Sequence, residues 1–135
     1  MKLVQVRRHS RRVDALVEQN FGSGESLWDP KCFDRLYTLV DGPRLLAVCT
    51  LQWSGEYWIL GDLCAAEHGK GHGTEIVKRI FKKIFEPVWT DVTSPASEGV
   101  MRRNGCVRVD FGPWPPKGLA YSRGNVVRLV PEGSP

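Results

Sequence analysis

The strongest periodicity in the chain follows residue 74, where Ile76, Val77, Ile80, Phe81, Ile84 and Phe85 recur at helical spacing. Glu75, Lys78, Arg79, Lys82, Lys83 and Glu86 take the opposite face, which predicts an amphipathic helix closed by Pro87. Upstream the pattern is different. Residues 36–40, 44–53 and 56–64 are apolar runs joined by Asp41-Gly42-Pro43 and Ser54-Gly55, turns so tight that the three strands must pair antiparallel. Residues 2–6 alternate as a short first strand. Ser10 then caps a helix with Val13, Leu16, Val17 and Phe21 on one face and Gly22 as its stop. After the amphipathic helix come a strand over 88–93 and a helix begun by Ser94-Pro95 and ended by Asn104-Gly105. A strand over 107–111, a stiff Gly/Pro-rich loop over 112–118 and a last strand over 125–130 complete the chain. The expected class is α/β with a mixed sheet, as one domain over 1–130 with a short polar tail at 131–135.

Composition narrows the picture in three ways. With 135 residues, 41% of them hydrophobic and 25% charged, the chain is long enough to bury a sizeable core. Its net charge of +4 suits an anionic ligand, but the basic residues are scattered. The cluster Arg7, Arg8, Arg11 and Arg12 reads as a solvated first turn, and the basic face after residue 74 lacks interleaved aromatics, so nucleic acid is not favoured. Cys32, Cys49, Cys64 and Cys106 form no CxxC pair, and three of them lie in apolar stretches, which reads as reduced core thiols. No apolar run approaches the roughly 18 residues of a membrane span, and Met1-Lys2-Leu3 does not open a signal peptide. A cytoplasmic protein without a membrane partner is expected.

The candidate chemistry lies where the third strand of the meander runs into the strongest helix. There the sequence reads Gly69-Lys70-Gly71-His72-Gly73-Thr74. Alternating glycines let the backbone turn N–H groups inward at a helix start, where the first amides are unpaired and the dipole is positive. That is a phosphate cradle. A ligand-free turn needs one or two glycines and gains nothing from the lysine. A Walker loop fails because Gly71, not Ser or Thr, follows Lys70. A dinucleotide loop is weakened because Thr74 stands where its third glycine belongs and because an antiparallel meander precedes it, although Asp91 imitates the ribose-binding acid. His68 and His72 are spaced as i and i+4 metal ligands, but the glycines between them oppose helical presentation and no Cys or carboxylate completes a set.

The segment His68-Gly69-Lys70-Gly71-His72-Gly73 resembles the pyrophosphate loop of the Gcn5-related N-acetyltransferase (GNAT) superfamily, which reads Arg or Gln, two residues, Gly, one residue, then Gly or Ala. His68 holds the Arg/Gln position, while Gly71 and Gly73 match. The order of elements over nearly the whole chain is also similar to that family's, β-α-(α)-β-β-β-α-β-α-β-β. Residues 94–106 resemble its second cofactor segment, Asn-x-x-Ala-x-x-x-Tyr-x-x-x-Gly-Phe. Gly105 is in register there, and Ser94, Ser97, Met101 and Cys106 replace the other four.

The resemblance implies acetyl-CoA as cofactor and transfer of its acetyl group to a primary amine of a small molecule or protein. The fourth strand would splay from the fifth, with the pantetheine arm against the backbone of Leu63, Cys64 and Ala65. Amides of Gly69, Lys70, Gly71, His72, Gly73 and Thr74 would hold the pyrophosphate, with the side chains of Lys70 and His68 adding charge. Strand amides would polarise the thioester carbonyl for direct attack by a neutral amine. Asp62 is the expected base, with Glu56 and Glu67 behind it. Met101 stands where the family's Tyr often protonates the leaving thiolate, so the acid falls to Ser97, Tyr121 or a water chain. Trp28, Asp29, Trp114 and Tyr121, expected in loops, are candidates to line the acceptor side. The alternative is a non-catalytic binding or structural protein of the same fold, as in some tailed bacteriophages. A monomer or homodimer is expected.

Overall fold

The computed structural model describes residues 1–8, 10–21, 33–55, 57–92, 95–109 and 119–123. Among these residues seven strands and three helices run in the order β1 (Lys2–Val6), α1 (Arg11–Phe21), β2 (Arg35–Asp41), β3 (Arg44–Trp53), β4 (Trp58–Ala65), α2 (His72–Lys83), β5 (Val88–Val92), α3 (Pro95–Arg103), β6 (Val107–Val109) and β7 (Leu119–Arg123). They form one sheet ordered β1-β2-β3-β4-β5-β7-β6. The pairs are antiparallel except β4 with β5, which run parallel. Tight turns force the antiparallel pairing of β2, β3 and β4, whereas the glycine loop and α2 supply the crossover that a parallel pair requires.

Strand alternation divides the core between the two faces of the sheet. Ala47, Cys49 and Leu51 of β3 join Leu39, Leu60, Ile76, Val77 and Ile80 under α2. Val48, between them in sequence, packs with Leu36, Cys64, Val13, Leu16 and Val17 under α1. The sheet is therefore covered by helices on both sides. The amide of Val13 donates to Ser10 Oγ at 3.4 Å, as the capping pattern anticipated.

Three expectations need correction. The amphipathic helix ends at Lys83, one turn early. Ile84 is already extended, with φ −116° and ψ 140°, although its amide still donates to Ile80. Phe85 therefore leaves the apolar face and stands 90% exposed. Pro87 holds Glu86 out of the helical region and cannot donate to Lys83, so the helix cannot run to the end of its apolar stripe. Tyr121, expected in a loop, lies in β7 between Thr90 of β5 and Arg108 of β6. Its strand is made by those two neighbours rather than by its own sequence pattern. The strand anticipated at 125–130, the loops carrying Trp28, Asp29 and Trp114, and the cap Ser94 lie outside the described residues.

Candidate functional site: a cleft in the sheet and a helix start

The site begins with an irregularity in β4. Leu51 pairs with Leu60 and Cys49 with Leu63, so Thr50 faces two residues, Gly61 and Asp62. This is a β-bulge, and it resets the alternation of the strand. Before it Leu60 faces the α2 side, and after it Leu63 faces that side again, while Cys64 points to α1. Thr50, only 3% exposed, fixes the bulge. Its Oγ1 accepts the amide of Asp62 at 2.9 Å. A glycine at position 61 makes room for that hydroxyl, since a Cβ there would stand 2.7 Å from it.

Beside the bulge the sheet opens. β4 and β5 pair through Trp58–Val88 and Ile59–Trp89 alone. The next carbonyl, that of Leu60, accepts the buried hydroxyl of Thr90 at 2.9 Å. Beyond that point β4 continues with β3, to Ala47–Ala65, and all five residues of β5 pair with β7. The two strands diverge, leaving a wedge whose β4 wall carries Leu63, Cys64 and Ala65. Asp62 follows directly after the point where the strands part, half-buried. Burial raises its carboxyl above the ordinary aspartate range. The same burial, aided by the negative charge of Asp62, pushes the Cys64 thiol up to about 12 and the Cys49 thiol higher still.

The chain leaves this wall directly into the glycine loop. The amide of Ala66 still donates to Leu46 O at 2.9 Å. Gly69 and Gly71 then take φ of 76° and 78°, which an L side chain rarely adopts. Gly71 is the N-cap of α2, with no side-chain hydrogen bond, and its carbonyl receives the first intrahelical bond from the Glu75 amide at 3.0 Å. The amides of His72, Gly73 and Thr74 therefore have no intrahelical acceptor. Among the described residues no other protein group takes them, nor those of Gly69, Lys70 and Gly71. Two glycines rather than three bend the loop: Gly73 is helical, and a Cβ there would meet Val100 of α3 at 3.5 Å.

Other expected residues are placed as follows. His68 and Lys70 are exposed beside the loop. Nδ1 of His72 is buried and has no partner among the described residues. Glu67 is exposed and paired with Arg44 at 3.1 Å, on the surface rather than in the wedge. Glu56 lies outside the described residues. Ser97 is half-buried in the first turn of α3. Met101, 1% exposed, belongs to the core under α2.

Sequence reasoning missed Gly61, Thr50, Thr90 and Arg103. The first had a signal, a glycine inside an apolar strand pattern, which marks a bulge or a close approach. The rest act across the fold. α3 ends in a Schellman turn, with Cys106 N donating to Met101 O at 3.0 Å and Gly105 at φ 81°. That ending brings Arg103 Nε within 3.1 Å of Thr74 Oγ1 and Asn104 Nδ2 within 3.2 Å of Thr74 O.

No family model and no curated protein sequence matches the chain. Solved structures do match. An acetyltransferase of Bacillus subtilis in complex with CoA superposes at a TM-score of 0.70 and 10% identity, over 90% of this chain and 96% of that one. A GNAT family acetyltransferase of Elizabethkingia anophelis with acetyl-CoA bound gives 0.69 at 12% identity, over 90% of this chain and 95% of that one. The chain has the GNAT acetyltransferase fold. The ribosomal-protein-S18-alanine N-acetyltransferase of Escherichia coli shares it at 0.58 and 13% identity, over 90% and 91% of the two chains. In this chain the GNAT fold places the β4 side of the wedge directly before the glycine loop. Among the described residues no helix is long and apolar enough to cross a membrane.

Proposed function

We propose that this chain is an acyl-CoA-dependent N-acetyltransferase that acts on a primary amine. The observation that carries the reading is the continuity of the β4–β5 wedge with the uncapped start of α2. An elongated cofactor with a diphosphate in its middle fits that path. Leu63, Cys64 and Ala65 would offer backbone groups to a pantetheine arm, and the amides of Gly69 to Thr74 would take the diphosphate, with His68 and Lys70 adding charge. Solved structures of the same fold hold CoA or acetyl-CoA, which supports the choice.

Bound there, the cofactor supplies a thioester as acyl donor. The protein must take a proton from the incoming ammonium and return one to the departing sulfur. Asp62 is our base: it lies at the wedge, and its raised carboxyl is a better proton acceptor than an ordinary aspartate. Tyr121, one strand away from Thr90 in the sheet, and Ser97 at the start of α3 are the side-chain candidates for the acid. The test is thermal: acetyl-CoA at about 100 times its dissociation constant stabilises a specific binder by roughly 2.7 kcal/mol. No shift at millimolar cofactor refutes the reading.

One observation favours a second reading. Met101, where the family's phenol often stands, cannot donate a proton and is buried in the core. A chain that binds the cofactor without transferring its acetyl group would follow. Acetyl transfer to any amine in a broad panel, lost in Asp62→Asn, eliminates that alternative.

A further inference from the structure

We infer that Arg103, which nothing in the glycine-loop pattern predicts, is a ligand of the pyrophosphate at the start of α2, an inference that rests on the acyl-CoA reading. The arginine is held from two sides. Its Nε donates to Thr74 Oγ1 at 3.1 Å, in the first turn of α2. Its guanidinium lies against the backbone of α3 at Gly99, where an added Cβ would stand 3.0 Å from Nη1 and 3.3 Å from Nη2. Among the described residues neither Nη group has a protein acceptor. The charge is thus fixed at the helix start with its two-pronged edge unused, the geometry that suits paired phosphate oxygens.

Local electrostatics make an anion the natural complement. A cation beside the positive end of a helix is repelled by it. The one carboxylate in that turn, Glu75, does not relieve this, because Arg79 binds it at 2.8 Å. Arg102, the neighbouring cation on α3, is likewise spent on Glu98 at 3.0 Å. Arg103 therefore stands at the first turn of α2, where the amides are unpaired, without a balancing negative charge among the described residues. A diphosphate supplies two.

The experiment compares the wild-type protein with Arg103→Gln, Arg103→Lys and Thr74→Val by titration calorimetry, using CoA, dephospho-CoA, pantetheine and inorganic pyrophosphate as probes. Arg103 is exposed, so the fold should survive, and a thermal melt of each variant checks it. Arg103→Gln is expected to weaken CoA and dephospho-CoA by the same factor, about tenfold, the size of one charge-assisted hydrogen bond at an open site, and to leave pantetheine unchanged. Lysine should restore only part of the loss, and Thr74→Val should fall between, because the charge remains but its anchor is gone. Unchanged affinity for dephospho-CoA in Arg103→Gln overturns the inference while leaving the acyl-CoA reading intact. A loss confined to CoA also overturns it, since the arginine would then serve the 3′-phosphate. Wild-type binding of inorganic pyrophosphate through Arg103 without binding of either cofactor retains the anion site and sinks the acyl-CoA reading. Wild-type binding of none of the three phosphate-bearing probes sinks both.

Discussion

Replacing Gly61 by alanine tests whether the bulge in β4 has the cause assigned to it. The new Cβ would lie 2.7 Å from Thr50 Oγ1, well inside contact distance. The hydroxyl cannot simply turn away, because it accepts the Asp62 amide at 2.9 Å and its residue is 3% exposed. Either the strands separate by a few tenths of an ångström, an overpacking cost of roughly 1–3 kcal/mol, or the hydroxyl rotates and strands a half-buried amide, at about 1–3 kcal/mol. The site takes the cheaper route, so the expected loss is about 2 kcal/mol. For a domain of this length that corresponds to roughly 6–8 °C in Tm.

The assay is urea unfolding of wild type, Gly61→Ala, Thr50→Ala and the double variant. Removing the hydroxyl removes the clash, so adding Gly61→Ala to Thr50→Ala should cost less than about 0.5 kcal/mol, and the coupling energy should exceed about 1 kcal/mol. Equal stability of Gly61→Ala and wild type refutes the steric argument. An undiminished penalty in the Thr50→Ala background refutes it as well, since the strain would then lie elsewhere.

Other outcomes follow from single positions. Gly71→Ala forces a side chain into φ 78° with nothing within 4 Å to clash, so it should cost about 1 kcal/mol through the backbone alone, with Gly71→Asn costing less, as read by thermal melting. The raised carboxyl of Asp62 binds its proton more tightly in the native than in the unfolded chain. Its contribution to stability is therefore nil at low pH, falls as pH rises from the unfolded aspartate range through the raised native value, and is flat above it. Asp62→Asn should remove that fall in a Tm series across pH, and any transferase activity should rise with pH over the same window and be lost in the variant. In a Cys32→Ser background, the buried thiols of Cys49, Cys64 and Cys106 should react with a disulfide reagent at pH 8 only after denaturant is added, because all three are buried and burial pushes the Cys49 and Cys64 thiols well above their ordinary range.

The elements that were legible in the sequence are those whose signal is local. β3 is legible at its full extent because both bounding turns are written in glycine chemistry, and α2 is legible as a helix, though not in its end, because its apolar stripe is dense. The unpaired amides of the glycine loop were legible because helix starts leave amides without partners in any context. Positions whose state depends on a partner element were not. Tyr121 became a strand residue through β5 and β6, and Phe85 became exposed because the chain turned extended at Ile84. Arg103 had no sequence mark at all, since what places it is Thr74, 29 positions away.

The opening between β4 and β5 is best understood as a fork between two ribbons, each committed to another neighbour. β4 follows β3 through the bulge, and β-bulges increase local twist, so the strand turns away just as Gly61 is passed. β5 is held along all five residues by β7 and stays with it. Thr90 completes the fork, since its hydroxyl caps the Leu60 carbonyl that the interrupted ladder would otherwise leave bare. Past that carbonyl the backbone groups on the open edge of β4 require partners from solvent or ligand. The chain bearing them reaches the uncapped start of α2 within a few residues. One short segment thus carries both an open strand edge and an uncapped helix terminus, and the proposed cofactor path rests on their being neighbours in the chain.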